Sequence, residues 1–255
     1  MKNWQTVFDE ERACVIVPTY NNERTIVDVL LRIRAYTRNI IVVNDGSTPA
    51  TMLAITAAFD TSELPEIVDY TPNRGKGYAL MQGFRRALDL GYRYAVTIDS
   101  DGQHFPEDIP VVMDCHLADK EALVVGSRNL TADNMPTKNT FANKFSNFWF
   151  RLQTGIPLED TQSGYRIYPL EAINVHWPIT PRYEAELELL VFSAWRGVPV
   201  VSVPVRVYYP PEGERVSHFR PFWDFFRISV LNSILTFGAL FYYLPAKLVR
   251  CIFSK

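Results

Sequence analysis

The chain has 255 residues, of which 47% are hydrophobic and 21% charged, and its formal charge is −2. That size and balance suit one α/β domain, with or without an appendage, and exclude a disordered chain. A charge so near zero gives no electrostatic case for nucleic acid as a partner, and the scattered Cys14, Cys115 and Cys251 offer neither a disulfide framework nor a zinc cluster, which fits a reducing compartment.

Residues 1–12 are polar and acidic and lack the basic start and apolar stretch of a signal peptide. The domain is therefore expected to stay on the side of the membrane where it is made. Residues 13–18 are an apolar run closed by Pro18, the pattern of a buried strand. Ile26, Val29, Leu30 and Ile33 then recur at helical spacing within 22–36. A second buried strand is expected over 39–44, a helix over 50–59 and a weaker strand over 66–70. A helix over 77–90 is closed by Gly91 as its C-cap, and a fourth strand covers 94–98. Alternation of this kind predicts a mostly parallel sheet with helices on both faces, whose ligands bind at the carboxyl ends of the strands.

The second half is less regular. A strand is expected over 122–126 and an aromatic-rich helix over 139–153. A helix over 183–195 carries Leu187, Leu190 and Val191 on one side. An alternating strand over 198–209 is interrupted by Pro199 and Pro204, which favour an edge. After Pro221 the composition turns apolar, and 228–244 holds no charge, close to the lower limit of roughly 17–25 residues for a spanning helix. Asn232, Ser233, Gly238 and Pro245 weaken a full span. Arg227 before the run, with Lys247, Arg250 and Lys255 after it, fits a helix lying at an anionic membrane surface. The expected division is a domain over 1–220 and a membrane-associating helical tail over 221–255.

Polar residues fall where a ligand site is expected. Thr19-Tyr20-Asn21, Asp45-Gly46-Ser47 and Asp99-Ser100-Asp101 each follow directly on a strand. Two carboxylates at i and i+2 past a buried strand would aim at one hard cation such as Mg or Mn. Gln103 and His104 stand close enough to add a ligand, and such a metal would neutralise a diphosphate leaving group; a plain polar turn is the alternative. Asp45 would accept hydrogen bonds from a base or ribose, or simply open an Asp-Gly turn. Asn73-Arg74-Gly75-Lys76-Gly77 is a glycine-rich basic turn before a helix, suited to an anion. It lacks the spacing of a Walker-type phosphate loop, and no Gly-x-Gly-x-x-Gly follows the first strand, which counts against ATPases and dinucleotide dehydrogenases. Further on, Asp160 or Glu159 would serve as a general base, Arg166 would hold an anionic group, and Arg128 is a further phosphate contact. The polar stretch 212–220 reads as a flap or a connecting loop.

Taken in order, Pro18-Thr19-Tyr20-Asn-Asn-Glu23, Asn44-Asp45-Gly46-Ser47, Asn73-Arg74-Gly75-Lys76-Gly77, Asp99-Ser100-Asp101-Gly-Gln103-His104, Gly126-Ser-Arg128 and Asp160-Thr-Gln-Ser163-Gly164-Tyr-Arg166 resemble the family-2 glycosyltransferases of GT-A fold. The branch they are most similar to comprises dolichyl-phosphate mannosyltransferases and bacterial polyprenyl-phosphate glycosyltransferases. The resemblance implies an inverting enzyme that moves a sugar from a UDP- or GDP-sugar, with Mg or Mn, to a lipid-linked acceptor in lipid or cell-envelope glycan synthesis. It places Pro18, Thr19, Tyr20, Glu23, Asp45, Arg74, Lys76, Asp99, Ser100 and Asp101 around the donor. It places Asp99, Asp101 and Gln103 at the metal, and Arg128, Ser163 and Arg166 at phosphate oxygens of donor or acceptor. A lipid phosphate would need no strong base, whereas a hydroxyl acceptor would, with Asp160 in that role. Residues 129–144 lack the glycine- and arginine-rich stretch of a close dolichyl-phosphate mannosyltransferase, and the tail lacks a pair of clearly spanning helices. The competing readings are a nucleotidyltransferase that makes a nucleotide-sugar and a non-catalytic nucleotide-sugar binding module.

Overall fold

The computed structural model describes residues 2–128, 137–173, 180–209 and 221–253, with side chains described at all of these except 137–142, 221–222 and 250–253. A short helix α1 (Trp4–Glu10), capped by the Asn3 side chain, leads into the alternation expected from sequence: β1 (Ala13–Thr19), α2 (Ile26–Arg34), β2 (Ile40–Asp45), α3 (Pro49–Ala58), β3 (Glu66–Tyr70), α4 (Lys76–Asp89) and β4 (Tyr94–Thr97). Every residue of β1 and β2 is buried, so both read as unbroken apolar runs covered on two faces. In α2 the buried residues are Ile26, Val29, Leu30 and Ile33, the stripe that the spacing predicted. Gly83 brings α4 down onto the sheet, because a Cβ there would stand 2.7 Å from Cγ2 of Ile16. Past the helix, Gly91 takes φ +85° as the left-handed C-cap residue.

The second half contributes α5 (Ile109–Ala118), β5 (Leu123–Arg128), α6 (Thr137–Thr154), β6 (Arg166–Pro169), α7 (Glu184–Trp195) and β7 (Val200–Val205). The strand order is β3-β2-β1-β4-β6-β5-β7. β6 alone runs antiparallel, wedged between β4 and β5. β7 lies at the edge, where Pro204 pairs opposite Ser127 without interrupting a central ladder. One face of the sheet packs on α1, α2, α3 and α5 through Phe8, Leu30, Ile55 and Met113. The other packs on α4, α6, α7 and the tail through Phe84, Phe150, Leu190 and Leu235. This is the helix–sheet–helix layering of the GT-A fold.

The tail is one continuous helical rod: α8 (Pro221–Gly238), a π-helical turn over Ala239–Tyr243, and α9 (Leu244–Phe253). The widened turn precedes Pro245, whose ring would otherwise collide with the carbonyl one turn back. Its stretch Trp223–Val249, 27 residues long, is by length and composition able to cross a bilayer. One face is nonetheless docked on the domain. Leu231, Leu235 and Ala239 are buried, Gln153 donates to the Asn232 carbonyl at 3.1 Å and to the Thr236 hydroxyl at 3.1 Å, and Trp195 stacks on Tyr243. The opposite face exposes Trp223, Phe226, Ile234, Phe237, Phe241 and Leu248.

Candidate active site

The carboxyl ends of β1, β2 and β4 meet at one rim and are tied together by neutral side chains. Ser47 Oγ accepts from the Asn21 N–H at 3.0 Å, and the Asn21 carboxamide accepts from the Thr48 N–H at 2.8 Å. Asn22 donates to Ser100 Oγ at 2.7 Å, Ser100 donates to the Pro18 carbonyl at 2.9 Å, and Thr25 donates to the Ser100 carbonyl at 2.6 Å. Asn21 sits at φ +54°, a left-handed turn that asparagine tolerates better than most residues. Ser100 is thus a brace between loops. Its hydroxyl is buried and already committed. Pro18 and Thr19 are buried in the β1–β2 ladder, whereas Tyr20 is half-buried and Glu23 exposed at the open side of the rim.

Asp45 is likewise satisfied from within. Its carboxylate accepts the Arg74 N–H at 2.7 Å, the Gly75 N–H at 2.8 Å and the Asn73 carboxamide at 2.8 Å. Burial pushes its pKa up, and the two N–H bonds pull in the other direction. These bonds shape the basic turn. Gly46 completes the arrangement at φ +67°, where a Cβ would strike the Asn73 backbone nitrogen at 2.5 Å. The Arg74 side chain lies outside this nest, exposed and resting on the Tyr78 ring, 4.8 Å from its centroid.

The two carboxylates past β4 differ in their surroundings. Asp99 is ion-paired with Lys76 at 2.7 Å. Burial opposes its ionisation, but Lys76 outweighs burial and holds its pKa below the ordinary carboxylate value. Asp101 accepts the Gln103 N–H at 2.9 Å. Burial first, and then the Asp99 charge, push its pKa up to about 6. An electron-rich pair of this kind is what a hard divalent cation relieves, so the donor set fits Mg or Mn. Among the described residues, no three His, Cys, Asp or Glu side chains gather so as to hold an ion by themselves. A metal here would complete its shell from Gln103, water and substrate oxygens. His104 is buried against Tyr165, and burial drives its pKa down to about 4. The loop is pinned from the far side by the Tyr208 N–H, which donates to the Gln103 carbonyl at 2.8 Å.

At the end of β5, Arg128 is gripped by Asp160. Its Nε and Nη2 donate to the two carboxylate oxygens at 2.6 and 2.9 Å, its own N–H donates at 3.1 Å, and Asn143 adds a bond at 2.6 Å. Burial works against the Asp160 charge, yet the Arg128 bonds carry its pKa below the ordinary value. A fully buried carboxylate held as an anion by a guanidinium is a poor proton acceptor, which weighs against a general-base role. Asp160 instead fixes the arginine fork near Asp99. Arg166 is held within the protein as well. Its guanidinium is wholly buried under β6 and donates to the carbonyls of Thr161, Ser163 and Glu186 at 2.9, 2.7 and 2.7 Å. Ser163 is buried beside it, with its hydroxyl accepting the Tyr165 N–H.

A parallel sheet bearing a stitched strand-end rim, an acidic pair and a clamped arginine invites comparison with known proteins. Residues 14–174 match the sequence profile of glycosyl transferase family 2. The chain belongs to that family. Among its relatives, a polyprenol monophosphomannose synthase of Mycolicibacterium smegmatis is 31% identical over 209 residues, which cover 78% of each chain. An undecaprenyl-phosphate mannosyltransferase of Micrococcus luteus is 31% identical, covering 76% of this chain and 82% of its own. A UDP-N-acetylglucosamine–dolichyl-phosphate N-acetylglucosaminyltransferase of Methanococcus voltae is 30% identical, covering 76% and 85%. The fold is shared with glucosyl-3-phosphoglycerate synthase of Mycobacterium tuberculosis, solved with Mn2+, UDP and phosphoglyceric acid, at a TM-score of 0.64 and 20% identity over 92% of this chain and 81% of that one. This family-2 glycosyltransferase is therefore an enzyme, and the reading as a non-catalytic module is set aside.

The site also contains Glu186, which sequence reasoning passed over. It lies on α7, 3.1 Å from Lys76. Glu184, Glu186 and Glu188 are all buried on a helix whose other residues are mostly apolar. Carboxylates at i, i+2 and i+4 in an apolar helix cannot all face water, and that pattern was the available signal. The proposed flap over 212–220 lies outside the described residues, as do 129–136.

Proposed function

We propose that this family-2 enzyme is an inverting, metal-dependent glycosyltransferase that moves a hexosyl group from a UDP- or GDP-sugar to a lipid phosphate at the cytoplasmic membrane face. The observation that carries the reading is the capture of Asp160 by Arg128. The carboxylate put forward as base is already held as an anion, so an acceptor oxygen that arrives ionised suits the site better than a hydroxyl. The clamped guanidinium would orient that phosphate. Tyr20, Glu23 and Arg74 would hold the nucleotide at the open rim, on loops braced by Ser100 and Asp45. Asp99, Asp101 and Gln103 would hold Mg or Mn, which when bound supplies charge neutralisation for the departing diphosphate.

The names of the relatives support a polyprenyl-type acceptor while differing in the sugar, mannose in two and N-acetylglucosamine in the third. We take 221–255 as the membrane-contacting segment attached to a domain over 1–220. Because one face of α8 is bonded to Gln153 and packed on α7, its exposed aromatic face is read as lying in the lipid surface. The test is calorimetric titration with UDP-glucose, UDP-N-acetylglucosamine, UDP-galactose and GDP-mannose, with and without Mn, followed by transfer from radiolabelled donor to undecaprenyl phosphate. Metal-dependent binding of one donor and a labelled lipid product are expected. Release of pyrophosphate from a nucleoside triphosphate would point to a nucleotidyltransferase instead.

A further inference from the structure

Lys76 is the first residue of α4, and its ammonium has two carboxylates to choose from. Nζ lies 2.7 Å from Asp99 Oδ1 and 3.1 Å from Glu186 Oε2. All three side chains are largely shielded, with exposures of 16% for Lys76, 26% for Asp99 and 10% for Glu186. The backbone sets this spacing. The Tyr78 N–H donates to the Pro181 carbonyl at 3.0 Å, and a Cβ on Gly77 would collide with that of Ala185, next to Glu186. The first turns of α4 and α7 are thereby pressed together. Gly164 forms the floor, where a Cβ would come within 2.7 Å of the ammonium and 2.8 Å of Asp99 Oδ2. The Glu186 carbonyl is held in turn by Arg166 at 2.7 Å. No room is wasted around the ammonium, and one of its two anions is the first carboxylate of the Asp99–Asp101 pair.

We propose that Lys76 is a built-in counter-cation that competes with the divalent metal for Asp99, and that Glu186 is the second anion on which the ammonium rests once a metal takes its place. This rests on the metal-dependent reading above. Two cations at one carboxylate repel, so without donor the metal meets a site whose charge is already partly neutralised. A donor diphosphate brings fresh negative charge and tips the balance toward the metal. Metal and donor then strengthen each other's binding by the same factor, as linkage requires. Lys76 is a positioning residue in this scheme: it acts on the metal through Asp99 and Glu186.

The experiment titrates Mn into the detergent-solubilised full chain without donor, following free Mn by electron paramagnetic resonance and folding by thermal melting. A neighbouring charge shifts the affinity of a carboxylate for protons by one to three powers of ten, and cation binding at the same group answers to the same field. Lys76→Met is therefore expected to bind Mn about tenfold more tightly than wild type. Glu186→Gln is expected to bind it more weakly, because the ammonium then has only Asp99. The decisive variant is Lys76→Met/Glu186→Gln, which keeps the net charge of wild type while removing the competitor together with its alternative anion; it too is expected to bind Mn more tightly. If the double variant is no tighter than wild type, the competition is overturned, while Mn binding by wild type leaves the metal-dependent reading standing. If wild type takes up no Mn with or without UDP but the double variant does, the competition stands and that reading falls. Absence of Mn binding in every variant overturns both.

Discussion

The two halves of the site are held together by different forces. On the β1–β2 side, neutral hydroxyls and carboxamides from Asn21, Asn22, Ser47 and Ser100 tie three loops to one another. Where the ends of β4 and α4 meet β5, β6 and α7, buried charges do the same work: Arg128 with Asp160, Lys76 with Asp99 and Glu186, and Arg166 among carbonyls. Each neutral bond contributes on the order of 0.5–1.5 kcal/mol and can be lost singly. A buried charge stripped of its partner costs more, because the other member is left without water or counter-ion. The neutral side is thus suited to shaping a rim for different nucleotides, and the charged side to holding a fixed field where diphosphate and acceptor meet.

The largest expected effect falls on Asp101, a carboxylate whose charge is opposed by burial and by neighbouring Asp99. Asp101→Asn should lower transfer by about 100- to 1,000-fold or more, the scale of removing an electrostatic contact from a reacting centre, with the fold intact by circular dichroism. Ser100→Ala, on the same loop, breaks neutral braces and should cost on the order of 1 kcal/mol of stability with little change in turnover. If the two variants lost turnover equally, the division between scaffold and chemistry at this rim would be wrong.

Asp160→Asn tests the charged side. It leaves Arg128 facing a neutral amide inside the protein, a change that costs on the order of 3–5 kcal/mol when one member of a buried pair is removed. Arg128 keeps 17% of its side chain open, so the lower end is expected, read as a fall in the melting temperature. The sign with pH follows from the lowered pKa of Asp160. Its stabilisation is fully present above the ordinary carboxylate value of about 3.9 and is lost as pH falls through the depressed folded value. Wild type and variant should therefore converge in acid. A general base would behave differently: its loss would leave a rate rescued at high pH, whereas the pH optimum of residual transfer should stay put here.

These contrasts show what was legible in the sequence. The strands of the first half announce themselves, because Val15 to Val17 and Ile41 to Val43 are buried on both faces and need no partner to explain them. β6 was missed because four residues, Arg166–Pro169, carry no period, and its leading arginine looked like a ligand. α5 escaped because its Pro-Val-Val start resembles a strand. Among site residues, spacing located the rim but did not tell which polar groups would be used up internally. Asp45, Ser100, Asp160, Ser163 and Arg166 have the residue types of ligand contacts, and in the fold they bond to backbone or side-chain groups of the protein itself. That depends on three-dimensional neighbours such as Asn73, Pro18 and Arg128, which lie far along the chain.

The tail extends the comparison to the membrane side. Phe237 and Phe241 stack on each other on the exposed face of the rod, while Asn232 and Thr236 face Gln153. Phe237→Glu/Phe241→Glu removes two rings, each worth on the order of 1.5–3 kcal/mol when buried. Binding to vesicles containing anionic lipid should weaken at least about tenfold, with an unchanged melting temperature. Gln153→Leu should reverse the pattern, lowering the melting temperature while vesicle binding persists. Release of wild type by carbonate is the expected companion result, and retention in the pellet would mean that the rod crosses the bilayer.

The smallest effect is the most pointed, because it asks whether the site is strained before any ligand arrives. Asp101 has its pKa raised to about 6, by burial first and by Asp99 second. A raised carboxylate binds its proton more tightly in the folded chain than in the unfolded one. Stability from this group therefore falls as pH rises from about 3.9 through 6, and the loss persists above that. Asn at 101 carries no such charge and can still accept the Gln103 N–H. Without metal, Asp101→Asn should thus melt a few degrees above wild type at pH 7.5 and close to it at pH 4.5, since the other titrating groups cancel in the difference. Adding Mn should raise the wild type at pH 7.5 and leave the variant nearly unmoved. A variant that melted below wild type at both pH values would mean that Asp101 is a structural acceptor like Asp45, and that the charged half of the site carries no unspent field for a cation to use.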